Sequence, residues 1–151
     1  MKTKKIVNKL LVLFHPLLLG AVVGFLTDQE TFKTINKPIF SPPGWVFPVV
    51  WSILYILMGI SLYIAKNNKL SDAGYRYYII QLVLNLLWSF IFFNFKWYLV
   101  SIIWILVIIF FVINMIREFY KTKKVAGYLQ LPYLLWLLAA LYLAVGVWIL
   151  N

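Results

Sequence analysis

The sequence has no cysteine, a single histidine (His15) and four acidic residues, Asp28, Glu30, Asp72 and Glu118. The first absence excludes disulfides, thiolate nucleophiles and cysteine metal sites. One histidine cannot supply two axial ligands to a haem, and with no carboxylate outside the expected loops and their margins it cannot build a hydrolytic triad. There is no metal-ligand spacing and no phosphate-binding glycine loop, so no resident cofactor or metal is expected. Charge of either sign is also scarce. Charged residues make up 12% of the chain and hydrophobic ones 64%, against about 25% and 45–50% in soluble domains, which excludes an ordinary soluble globule.

What the chain has instead is five charge-free runs, residues 10–27, 38–65, 77–95, 97–116 and 125–151, each of 18 to 28 residues. A bilayer core about 30 Å thick needs roughly 20 apolar residues as a helix, which satisfies its own backbone where lipid offers no partners. The reading is an all-α membrane protein, one domain over 1–151, with helices near 6–27, 45–65, 77–95, 98–116 and 128–150. A transmembrane β-barrel would show alternation, and the run Ile102–Phe111 does not alternate. The Lys-rich start followed by an apolar run also resembles a signal peptide, but the run is long for one and lacks a clear small-residue cleavage site, so it is read as the first helix.

The basic excess, 14 Lys and Arg against 4 acids, is read as topology, not as a nucleic-acid surface. Lys2, Lys4, Lys5, Lys9, Lys66, Lys69, Arg76, Arg117, Lys121, Lys123 and Lys124 fall on one side of the expected bundle and Lys33, Lys37 and Lys96 on the other. The positive-inside rule then puts the N-terminus inside and the C-terminus outside.

The connection 28–44 is long for a helix link, and it ends in Lys37-Pro38-Ile39-Phe40-Ser41-Pro42-Pro43-Gly44-Trp45. Three prolines and a glycine hold such a segment extended; it is either a rigid interfacial turn or a lid over a cavity. In the first helix, Pro16 should produce a kink, Gly20 and Gly24 allow close approach of a helix from this or a second copy of the chain, and His15 is read as bonding to a neighbouring helix. The third helix aligns Gln81, Asn85, Trp88, Ser89 and Phe92 on one stripe. Gln81 and Ser89 suit interhelical bonding or a ligand site equally, whereas Asn85 beside Trp88 reads as a pocket wall. The second helix aligns Trp51, Tyr55, Met58 and Leu62, and the fifth Tyr133, Trp136, Ala140 and Ala144. Such walls suit a broad, flat, apolar ligand. Trp45, Trp97 and Trp148 read as interfacial belt residues. No acid lies inside an expected helix, which argues against proton-coupled export.

The ordered set Lys37-Pro38, Pro42-Pro43-Gly44-Trp45-Val46-Phe47, Val50-Trp51, Leu54-Tyr55 and Met58-Gly59, with Gln81 to Ser89 and Pro132-Tyr133-Leu134-Leu135-Trp136 plus Ala140, resembles the translocator protein family, also called tryptophan-rich sensory proteins or peripheral-type benzodiazepine receptors. The resemblance implies a bacterial-type member in the cell membrane, a homodimer, and a pocket for porphyrins and benzodiazepine-site ligands. It also implies light- and oxygen-dependent breakdown of protoporphyrin, with the two tryptophans tied to that photochemistry at Trp51 and Trp136. Pocket positions fall on Tyr55, Asn85, Trp88, Tyr133 and Ala140, with Pro42, Pro43 and Gly44 in the lid. Two departures stand out: Leu143-Ala144 where the family often has Leu-Asn, and no Lys or Arg after Lys124, so the sterol motif of the animal members is missing. Three functions follow as expectations: a porphyrin-degrading protein, a non-enzymatic sensor of porphyrin, or a facilitator of porphyrin movement.

Overall fold

Pro16 lies in the middle of the first long helix, α1 (Lys2–Leu26), and does not end it. A proline has no N–H to give to the carbonyl four residues back, here that of Val12. The neighbouring His15 supplies the missing donor: its Nδ1 lies 2.9 Å from the Val12 carbonyl oxygen and 3.1 Å from that of Leu11. With the proton on Nδ1, Nε2 is an acceptor, and the Tyr78 hydroxyl donates to it at 3.0 Å. The lone histidine therefore mends its own helix and ties it to another.

The computed structural model describes residues 1–151. After α1 come a short α2 (Glu30–Thr34), α3 (Val46–Asn67), α4 (Asp72–Ser89) continuing as a π turn (Phe90–Asn94), α5 (Tyr98–Thr122), a short α6 (Lys124–Tyr128) and α7 (Leu131–Leu150). Helix takes up 83% of the chain and there is no strand. Five helical stretches, with α6 and α7 together as the fifth, are long and apolar enough to cross a membrane.

The ends differ from those expected, for local reasons. α4 begins five residues earlier than charge alone suggested, because Ser71 caps it by accepting the Gly74 N–H at 3.0 Å and Asp72 sits in its first turn, where the helix dipole favours an acid. α5 runs past Arg117 to Thr122, with Glu118 and Lys121 paired at 3.0 Å on its polar end. The lid segment is not wholly a loop, since it contains α2.

α3 packs on α1, α1 on α4, α4 on α5 and α5 on α7. All eleven bases grouped by the sequence lie at one end of this bundle, and Lys33, Lys37 and Lys96 lie at the end carrying the lid. Two tryptophans join α4 to α5 reciprocally. Trp88 donates its indole N–H to the Ser101 carbonyl at 3.1 Å, and Trp104 returns one to the Leu84 carbonyl at 2.8 Å. The outer faces carry large apolar side chains such as Phe110, Leu135 and Ile149, all more than half exposed. That surface suits contact with lipid and would drive association in water.

α1 and α3 approach closely at Gly59, where a Cβ would overlap the Leu13 backbone. At Gly24, by contrast, a Cβ would meet nothing within 4 Å. Gly59→Leu is therefore expected to lose most folded, monodisperse protein on size-exclusion chromatography, while Gly24→Ala is recovered at the yield of the unmodified chain.

Candidate functional site

The lid is tied down at its start and again near its middle. At its start, the Asp28 N–H donates to Asn94 Oδ1 at 3.0 Å, and the Thr31 hydroxyl donates to the Phe93 carbonyl at 3.0 Å and is also within 2.9 Å of Asp28 Oδ2. Both anchors lie on the π turn, whose wider coil redirects carbonyls that an α-helix would keep for itself. Further on, Asn36 and Asn151 pair. The Asn36 N–H donates to Asn151 Oδ1 at 3.1 Å, and Asn151 Nδ2 donates back to the Asn36 carbonyl at 2.9 Å. Pro38 packs directly on Gly146 of α7.

Under and beside this strap lie two cavities. The first, of about 530 Å³, opens between α1 and α3 and is bounded by Gly20, Gly24, Phe47, Trp51, Tyr55 and Phe93 among others. The second, of about 620 Å³, lies against the lid and is bounded by Phe32, Lys33, Lys37, Pro42, Pro43 and Gly44 among others. Gln29, Phe47 and Phe93 line both, so the two spaces adjoin.

A chain of rings leads inward from the lid. Phe32 meets Phe47 edge-on at 4.9 Å between centroids, Phe47 meets Trp136 at 5.7 Å, and Trp136 meets Trp51 at 6.5 Å and 88°. Trp51 stacks on Tyr55 at 5.4 Å and 26° and meets Tyr133 edge-on at 6.1 Å. These are the offset and edge-to-face geometries that ring quadrupoles favour. Behind the rings, the Tyr55 hydroxyl donates to Asn85 Oδ1 at 2.9 Å, and Asn85 Nδ2 donates to the Tyr133 hydroxyl at 2.9 Å. One buried amide thus ties α3, α4 and α7 together. On its other side the Tyr55 ring fills the space left by Gly20, where a Cβ would overlap it.

The residues singled out by sequence divide accordingly. Trp51 and Tyr55 line the first cavity, Pro42, Pro43 and Gly44 the second, and Trp136 reaches the rings of Trp51 and Phe47. Asn85 and Tyr133 stand behind the wall as its hydrogen-bonded support. Trp88 and Ala140 are buried core residues and line neither cavity; the indole of Trp88 is turned to α5. Ser89 lines the first cavity. The α1 face, Gln29, Phe47 and Phe93 were not singled out as lining residues. The spacing of Gly20 and Gly24 marks α1 as a close-packing face; at Gly20 it packs the Tyr55 ring of α3 in the same chain, whereas Gly24 leaves open space.

Gln81, one turn before Asn85, and Gln130, one turn before Tyr133, are both fully buried, and none of their four amide atoms has a hydrogen-bond partner. A buried amide without partners costs about 1–3 kcal/mol for each unsatisfied group. Gln81→Leu is accordingly expected to raise the thermal midpoint by a few degrees in detergent, since roughly 1 kcal/mol shifts a chain of this size by about 2–4 °C. A fall of several degrees would show that the amide has a partner in the folded protein.

Comparison with known proteins places this arrangement. The TspO/MBR family model matches residues 12–149. A tryptophan-rich protein TspO of Archaeoglobus fulgidus is 37% identical over 140 residues, covering 89% of this chain and 91% of that protein. A tryptophan-rich sensory protein of Cereibacter sphaeroides is 33% identical over 117 residues, covering 78% and 74%. The translocator protein of Bos taurus is 28% identical over 147 residues, covering 87% and 85%. Five membrane-length helices, the ring-lined cavity and a match over nearly the whole chain agree, and this integral membrane protein belongs to the TspO/MBR family.

Proposed function

We propose that the protein binds a protoporphyrin-type tetrapyrrole in the cavity between α1 and α3, beneath the lid, and promotes its light-driven oxidation by dioxygen. The observation that carries this reading is the indole pair: Trp51 forms part of the cavity wall, and Trp136 stands perpendicular to it at 6.5 Å. The first cavity's volume falls within the roughly 300–1,000 Å³ typical of small-molecule sites. Its wall offers flat apolar faces, which suit a planar ligand. In the proposed chemistry the ligand absorbs the light, dioxygen is the oxidant, and the protein contributes position and an indole next to the ring that is oxidised. The work is placed in a bacterial cell membrane, in keeping with bacterial relatives among the matches.

The test uses purified protein in neutral detergent with protoporphyrin IX, kept dark or illuminated in air. Expected are saturable shifts of the porphyrin absorbance in the dark and, in light, a product of higher mass that needs both light and protein. Binding without such a product supports a second reading, a porphyrin sensor. That reading draws on the lid, whose two anchors, at Asn94 and at Asn151, give occupancy beneath it something to strain. It also agrees with the name of the sensory relative. No saturable binding overturns both.

A further inference from the structure

Lys37 is a half-buried cation whose two hydrogen-bond partners are main-chain oxygens. Its Nζ donates to the Phe32 carbonyl at 2.6 Å and to that of Ile35 at 3.4 Å, and stands 4.7 Å from the centre of the Phe32 ring. The ion pairs of the molecule are Lys33–Glu30 and Lys121–Glu118, so no carboxylate answers Lys37. An ammonium has three donors, and these contacts use two. Lys33 borders the same cavity. Its pairing with Glu30, at 2.8 Å with the two side chains 69% and 73% exposed, is of the kind that contributes little in water. The other acidic side chain at this end, Asp28, accepts from the Glu30 N–H and lies 2.9 Å from the Thr31 hydroxyl, and no acidic side chain lines the cavity. The two charged residues that line the lid cavity are therefore both cations, and this cavity adjoins the apolar one through Gln29, Phe47 and Phe93.

We infer that Lys37, supported by Lys33, is a carboxylate-recognition subsite, and that the ligand is an amphipathic molecule with a flat apolar body between α1 and α3 and an acid group at the edge turned to the lid. This rests on the tetrapyrrole reading above and narrows it to free-acid tetrapyrroles over their neutral esters. The physical ground is that a partly desolvated ammonium without a counter-ion attracts an anion more strongly than an exposed one does. Main-chain carbonyls hold Lys37 in place without neutralising it. The lysine and the rings divide the work: the rings accept any flat apolar body, and the charge selects among them.

The experiment compares protoporphyrin IX with its dimethyl ester by absorbance titration in neutral detergent. The unmodified protein is expected to bind the free acid about tenfold more tightly than the ester, the size of one charge-assisted hydrogen bond. Lys37→Met should remove that preference and leave ester affinity unchanged, which also shows that the variant is folded; Lys37→Arg should retain it. Should Lys37→Met not fold, the unmodified protein still decides. Free-acid affinity should fall with rising salt while ester affinity holds, because screening acts on the charged ligand alone. An added anionic lipid, phosphatidylglycerol, should not displace the acid; displacement would assign the lysine to a lipid phosphate and overturn the subsite. Equal affinity of acid and ester, or equal losses of both in Lys37→Met, also overturns it while leaving the tetrapyrrole reading intact. Failure of both ligands to bind overturns the two together.

Discussion

Replacing Trp51 and Trp136 together with phenylalanine is expected to abolish light-driven porphyrin loss while leaving porphyrin affinity within about tenfold, since ring pairing contributes about 0.5–1.5 kcal/mol beyond burial. The four inner tryptophans fall into two classes, and the hydrogen bonds separate them. Trp88 and Trp104 each donate their indole N–H to a carbonyl of the facing helix and so hold α4 to α5. Trp51 and Trp136 donate to no protein acceptor. They meet each other through their rings alone, and Trp51 also forms part of the cavity wall. Phenylalanine keeps an aromatic face at each position and removes no protein hydrogen bond, so binding and fold survive. What it removes is the indole, which gives up an electron far more readily than a phenyl ring. Trp88→Phe serves as the contrast: it should lower the thermal midpoint by a few degrees through loss of the indole hydrogen bond to the Ser101 carbonyl and leave the photochemical rate per bound porphyrin unchanged. Porphyrin loss at the original rate in the double variant would remove the two indoles from the chemistry. Product mass and absorbance under fixed illumination decide it.

The number of helices was legible because lipid tolerates so few charges that the gaps between them mark the spans. The helix ends were not, because charged side chains such as Arg76 and Arg117 sit comfortably on a helix once it leaves the apolar layer. α2 was invisible for another reason. Five residues cannot hold a helix alone, and this one depends on Thr31 reaching the Phe93 carbonyl and on Phe32 packing against Phe47. Within the site, helical spacing correctly put Trp51 and Tyr55 on one face. The stripe on α4 shows the limit of that reasoning. Spacing groups Asn85, Trp88 and Ser89 together, yet one bonds to α3 and α7, one to α5, and one borders the α1 cavity. Periodicity names a face of a helix, whereas the neighbour it meets depends on packing. The α1 wall was hardest to foresee, because at Gly20 the feature that matters is a missing side chain that makes room for Tyr55.

Asn85→Leu is expected to destabilise the protein by about 2–5 kcal/mol, a fall of roughly 5–15 °C in thermal midpoint, and to weaken porphyrin binding with it. The amide accepts from Tyr55 and donates to Tyr133, and the three residues are buried on three different helices. Leucine fills a similar space but leaves two buried hydroxyls without their partner. Removing those hydroxyls as well, in the triple variant Asn85→Leu, Tyr55→Phe, Tyr133→Phe, should restore most of the lost stability, because replacing every partner by an apolar group of similar shape is close to neutral. An unchanged midpoint in Asn85→Leu would show that the chain of hydrogen bonds does not support the bundle. Binding adds a second readout. The Tyr55 ring is held between the space at Gly20 and the face of Trp51, so a phenylalanine there keeps the cavity wall even without its hydroxyl. If Asn85 acts only by positioning that wall, the triple variant regains affinity along with stability. If it regains stability alone, the polar chain itself touches the ligand, and the wall behind the rings is part of the binding surface.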